Sequence, residues 1–164
     1  MCGIYGSYNA SKFEILDTAN QVRGNFASGL YYHDGKNFDF QRTEGSFNWN
    51  DIKLPSGFIY LGHNQAPTSS IRVWNERNSH PFVYKNWVVA HNGVLTNFNE
   101  LKRTYLQDHE NGVDSSIIPA LLSHFEQLGC TANTIERETE LINHVLDLLE
   151  GTFGLWIVNT VTLN

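Results

Sequence analysis

The chain has 164 residues, a length that favours one domain with a core large enough to need no staples. Hydrophobic residues make up 41% and charged residues 17%, which excludes collagen, coiled coil and disorder. With 11 Lys+Arg against 17 Asp+Glu, a net charge of −6 and no basic run, nucleic acid and anionic membrane are not expected partners. Residues 2–8 read as a short buried strand whose glycines let backbones approach closely. Ser11 and Glu14 have capping-box spacing and predict a helix carrying Phe13, Ile15, Leu16 and Ala19, ending near Arg23-Gly24. Residues 27–60 are strand-like, with turns at Asp34-Gly35 and Pro55-Ser56-Gly57, and residues 58–63 form an interior strand. The polar stretch from Asn64 to Ser79, containing Pro67, reads as a long loop of the kind where function concentrates.

Residues 86–91 form a further strand, closed by Asn92-Gly93. Asn97 with Glu100 signals a helix to about Gln107, and Asp114 precedes a helix over about 116–128 with Pro119 in its first turn. A third helix is predicted over 134–149, with Ile135, Leu141, Ile142, Val145, Leu146 and Leu149 on one side and Gly151 past its end. Residues 153–161 make a final strand. Strands at both ends with helices between them indicate an α+β layered domain. Cys2 and Cys130 make no disulfide framework. No apolar run approaches the roughly 18 residues that span a bilayer, and the first residues lack the features of a signal peptide. The expected location is the cytoplasm.

Cys2 follows the initiator Met1. A small second residue lets that methionine be removed, which leaves Cys2 with a free α-amine. Such an amine titrates at about 7.7–8.0, so it can act as base for the thiol of the same residue. The thiolate is the attacking species, and one amino acid then supplies nucleophile and base together. The plainer alternative is a small residue at the start of a strand.

Other segments join this one. Met1-Cys2-Gly3-Ile4-Tyr5-Gly6 is followed by Arg23-Gly24, Ser28-Gly29-Leu30, Gly62-His63-Asn64-Gln65-Ala66-Pro67-Thr68, His80-Pro81-Phe82, Ala90-His91-Asn92-Gly93-Val94-Leu95-Thr96-Asn97, Asp114 and Gly151-Thr152-Phe153-Gly154. In this order the segments resemble the landmarks of the class II glutamine amidotransferases, the N-terminal-nucleophile glutaminases, and among them the glucosamine-6-phosphate synthase type. The likeness covers nearly the whole chain. It implies a four-layer α/β/β/α sandwich, a single glutaminase-type domain over residues 1–164, and no cofactor.

It also implies roles. Cys2 attacks the carboxamide of glutamine, and the Asn92 amide with the Gly93 N–H receives the oxyanion. A lost donor of this kind costs about 2.7–4 kcal/mol. Ammonia leaves, and water resolves the γ-glutamyl thioester. Asp114 pairs with the α-ammonium of the substrate, and Arg23 braces the strand of the nucleophile. Each assignment has a bland counterpart. Asn92-Gly93 is a strong hairpin signal, Asp114 can cap its helix or close the Asn111-Gly112 turn, and Arg23 can be a helix-end cation. His63 and His91 read as core histidines, Cys130 as a small loop or buried thiol, and the histidines show no metal spacing.

Three departures stand out. Gln65 occupies the place where the family carries an arginine for the substrate α-carboxylate, and a neutral amide in place of that fork forfeits about 1.5–3 kcal/mol. Arg72 or Arg77 substitutes for it, or the substrate is an amide without that carboxylate, or the site has decayed. Ser69 replaces a family histidine, beside Thr68, where the backbone is implied to bind. The chain also stops at Asn164, before the further strands of family members, so the expected sheet is shortened and its edge invites association. The implied partners are glutamine and a separate synthase chain that takes the ammonia. The rival readings are hydrolysis of another small amide and an inert homologue used for binding.

Overall fold

Cys2 leads into strand β1 (Gly3–Ser7), and the chain then turns at Asn9 into helix α1 (Ala10–Asn20). The structure, a computed structural model, describes residues 2–57, 59–66, 73–129 and 134–162. Asn9 caps α1, its side chain accepting the Lys12 N–H at 3.0 Å. The Ser11 capping box is therefore not the one used; asparagine caps as well as serine does and reaches the helix two residues sooner. A 3-10 turn over Gln21–Arg23 ends the helix. Strands β2 (Ala27–His33), β3 (Phe38–Glu44) and β4 (Ile59–Gln65) follow and join β1 in an antiparallel sheet ordered β1-β4-β2-β3. The register sets Gly3 opposite Asn64 and Ala27 opposite Gln65. Cys2 and Gln65 thus sit at the same end of this sheet.

Two compact units interleave along the chain. The first comprises Met1–Pro81, Ala90–Asn92 and Gly154–Trp156. Its core is aromatic: Phe13 is fully buried, with its ring 5.3 Å from Tyr5, 5.8 Å from Tyr60 and edge-on to Trp49 at 5.9 Å. Within it lies one buried carboxylate, Asp17. Asp17 accepts from the Tyr5 hydroxyl, from Trp49 Nε1 at 2.9 Å and from Asn64 Nδ2 at 3.0 Å. Neutral donors from three distant segments therefore compensate its charge, the condition for burying such a group. Burial raises the Tyr5 phenol far above its ordinary value, with the neighbouring Asp17 charge adding to the effect.

The second unit comprises Phe82–Val89, Gly93–Phe153 and Ile157–Asn164. Strand β5 (Phe82–Tyr84), a segment to which the sequence reading gave no element, turns through Lys85, at φ 51°, into β6 (Trp87–Leu95). Helices α2 (Phe98–Tyr105), α3 (Ile117–Gln127, after a 3-10 turn at Asp114–Ser116) and α4 (Ile135–Leu148) lead to β7 (Gly151–Asn159). The second sheet runs β5-β6-β7, and β6 and β7 each carry residues of both units. In α3, Ile117, Ile118, Leu121 and Leu122 are completely buried. In α4, Leu141 and Val145 are buried as the periodicity predicts, but Ile135, in the first turn, is exposed. The α+β class expected from the sequence is the class observed. No helix among the described residues is long and apolar enough to cross a membrane.

Candidate active site

The candidate nucleophile is held by its backbone. Cys2 is a half-buried free thiol, and its carbonyl oxygen accepts the Arg23 Nε–H at 3.0 Å. A Cβ on Gly3 would come within 2.8 Å of Asn20 Oδ1, so a larger residue there would require the Asn20 side chain to shift. A Cβ on Gly24 would lie 2.3 Å from the Ala66 nitrogen, and the Phe26 N–H donates to the Gln65 carbonyl at 2.9 Å. The Arg23-Gly24 segment is therefore locked against the end of β4.

A cleft of about 380 Å³ opens beside this junction, lined by Ile4, Asn20, Arg23, Asn92, Gly154 and Leu155. Two predicted site residues, Arg23 and Asn92, share it with the strand that follows Cys2. The sequence reading missed Asn20; its signal was a polar side chain one helical turn before Arg23. Behind Asn92, His63 is 1% exposed, with Nε2 3.1 Å from the His91 carbonyl oxygen and its ring 4.0 Å from that of His80. Burial lowers His63 to about 3, so the ring is neutral near pH 7. A carbonyl only accepts, so Nε2 carries the proton. His63 and His91 are both buried, in line with the core-histidine reading. Among the described residues no cluster of His, Cys, Asp or Glu could hold a metal ion.

Asn92 and Gly93 lie inside β6 and not at the tip of a hairpin. The hairpin expectation is corrected here: the β5–β6 turn falls at residues 85–86, where Tyr84 pairs with Trp87. Glycine is still needed, because Gly93 has φ 156°, a conformation that L side chains rarely adopt. Asp114, in the second unit, is half-buried. Its Oδ2 accepts the Leu95 N–H at 2.8 Å, and its Oδ1 accepts the Ser115 N–H at 2.8 Å. The carboxylate thus ties β6, two residues beyond Gly93, to the turn that starts α3. Gln65 is 4% exposed at the end of β4. Thr68, Ser69, Arg72 and Cys130 lie outside the described residues. Arg77 sits in an exposed 3-10 turn, with its backbone N–H on Asn75 Oδ1.

Over 175 aligned residues the chain is 30% identical to the amidophosphoribosyltransferase of Methanocaldococcus jannaschii, a match covering 96% of this chain and 36% of that protein. It is 28% identical over 171 residues to the glutamine–fructose-6-phosphate aminotransferase (isomerizing) of Bartonella henselae, covering 96% of this chain and 26% of that one. In sequence the chain is similar to class II glutamine amidotransferases over nearly its whole length. The fold agrees. A structure titled the allosteric regulatory enzyme of purine biosynthesis superposes with a TM-score of 0.73 at 21% identity, over 97% of this chain and 35% of that one. The glutamine phosphoribosylpyrophosphate amidotransferase from B. subtilis, complexed with ADP and GMP, gives 0.70 at 20% identity, again over 97% and 35%. No family model matches the sequence. The chain spans about a third or less of the length of the relatives it matches.

Proposed function

We propose that this chain hydrolyses the side-chain amide of glutamine through Cys2, and that residues 1–164 act as one glutaminase-type domain. The observation that carries this reading is the Arg23 hydrogen bond to the Cys2 carbonyl beside a cleft lined by Asn92. With Met1 removed, the α-amine of Cys2 takes the thiol proton. The thiolate adds to the carboxamide carbon, and the oxyanion accepts from the Asn92 side-chain amide and the Gly93 N–H. Collapse breaks the C–N bond, the α-ammonium returns its proton to the leaving nitrogen, and ammonia departs. Water then cleaves the γ-glutamyl thioester to glutamate and regenerates the thiol. Asp114 receives the substrate α-ammonium. Gln65, Thr68 and Ser69 bind the α-carboxylate. The ammonia passes to a separate synthase chain or is released, in the cytoplasm. The outer edge of β7, which pairs on its other side with β6, offers a place for a strand from a partner or a second copy.

Gln65 favours a second reading, in which the substrate is a small amide without an α-carboxylate, because a buried neutral amide replaces the charged fork. Ammonia release from glutamine and from simple carboxamides, by the chain and by Cys2→Ala, separates the two. Glutamine turnover that Cys2→Ala abolishes supports the first. Turnover of simple amides alone supports the second, and turnover of neither contradicts both.

A further inference from the structure

Gly93 gives β6 a point of backbone freedom at the place where the oxyanion is to be received. Glycine has no Cβ to restrict φ and ψ, and Gly93 sits at φ 156°. A donor must be held within about 0.5 Å and 10–20° of its working geometry, so the neighbouring peptide has to be anchored by something other than its own torsions. The β5 ladder does not supply that anchor. Its last pair is Phe82 with Val89, two residues short of His91. Besides the pairing of β6 with β7, His63, from β4, reaches the His91 carbonyl at 3.1 Å.

That carbonyl belongs to the same planar peptide as the Asn92 nitrogen. Fixing the oxygen fixes the plane from which Asn92 departs. His63 is itself immobile: it is 1% exposed, its ring lies against that of His80 at 4.0 Å, and its strand is paired on both sides. We infer that His63 is a positioning residue, whose Nε2–H braces the His91–Asn92 peptide so that Asn92 and Gly93 present their donors to the oxyanion. This rests on the oxyanion role proposed above for Asn92 and Gly93. His63 touches no reacting atom in this account.

Two replacements separate bracing from packing. His63→Phe keeps a ring against His80 and removes the donor, whereas His63→Gln retains an N–H that can reach the carbonyl. The expected result for His63→Phe is a kcat for glutamine at least tenfold lower, with KM and the iodoacetamide alkylation rate of Cys2 within about twofold of the parent chain. His63→Gln should recover most of kcat. Amide hydrogen exchange at Asn92 and Gly93 gives a reading independent of turnover, expected about tenfold faster in His63→Phe and near the parent rate in His63→Gln. Unchanged kcat and unchanged exchange in His63→Phe would overturn the inference, as would an equal fall in kcat, alkylation and substrate binding. If His63→Phe does not fold, His63→Gln decides: retained kcat and exchange protection support bracing, and their loss overturns it. A parent chain that releases no ammonia refutes the glutaminase reading, while the exchange rates still test the brace.

Discussion

The Arg23 Nε–H donates to the carbonyl oxygen of Cys2 at 3.0 Å, across 21 positions of sequence. The bond joins the 3-10 turn after α1 to the residue before β1, and it holds the backbone of the proposed nucleophile from outside its own strand. Because Arg23 is exposed, it contributes little burial, and its effect should be felt in rate more than in stability. Arg23→Ala is expected to change the unfolding free energy by less than about 1 kcal/mol while lowering kcat/KM for glutamine about tenfold. Urea melts and initial rates check both halves. A normal rate would show that the bond is incidental.

Asp17 makes the opposite prediction. Truncation to alanine strands the Tyr5 hydroxyl, the Trp49 indole N–H and an Asn64 amide hydrogen without their acceptor. At about 1–3 kcal/mol for each buried unsatisfied group, Asp17→Ala should lose at least about 3 kcal/mol of stability. Asp17→Asn keeps one acceptor oxygen and should lose less. Chemical denaturation followed by tryptophan fluorescence orders the two variants; equal stability would contradict the network.

His63 makes stability depend on pH. Its folded value, about 3, lies below the ordinary 6.5. Between those limits the unfolded chain binds a proton that the folded chain does not, so stability falls as pH falls from 6.5 toward 3. One such group contributes at most about 1.4 kcal/mol per pH unit. In His63→Gln the slope between pH 6.5 and 5 should flatten, measured as unfolding free energy against pH. Parallel curves for variant and parent would count against a buried neutral ring.

Gln65→Arg restores the family residue at an enclosed position. A guanidinium buried there lacks compensation until a carboxylate arrives, so the free variant should melt earlier. Glutamine should raise its melting temperature more than that of the parent, with KM about tenfold lower. Destabilisation with no response to glutamine would favour the reading of a substrate without a carboxylate.

The parts legible in the sequence were those encoded locally. Apolar periodicity marked α4, while Asp114 and a first-turn Pro119 marked α3. The segments from Cys2 to Gly154 carried the family likeness because they require particular side chains at particular places. What sequence could not carry was decided by distant partners. Asn92-Gly93 has the propensity of a turn, yet pairing along β6 keeps it extended. The three residues of β5 become a strand only through Val88 and its neighbours. Asp17 sits on a helix like any surface carboxylate, and only the convergence of Tyr5, Trp49 and Asn64 buries it. Asn9 took the cap from Ser11 by a choice between two residues of nearly equal propensity.

The central claim, that Cys2 with a free amine is the nucleophile for glutamine, is tested most directly by intact-mass and peptide mass spectrometry. The purified chain is treated with 6-diazo-5-oxo-L-norleucine, with and without glutamine. The account predicts a chain beginning at Cys2 that gains one adduct on that residue, more slowly when glutamine is present. A retained Met1, or a Cys2 that stays unlabelled while the protein is folded, would contradict it.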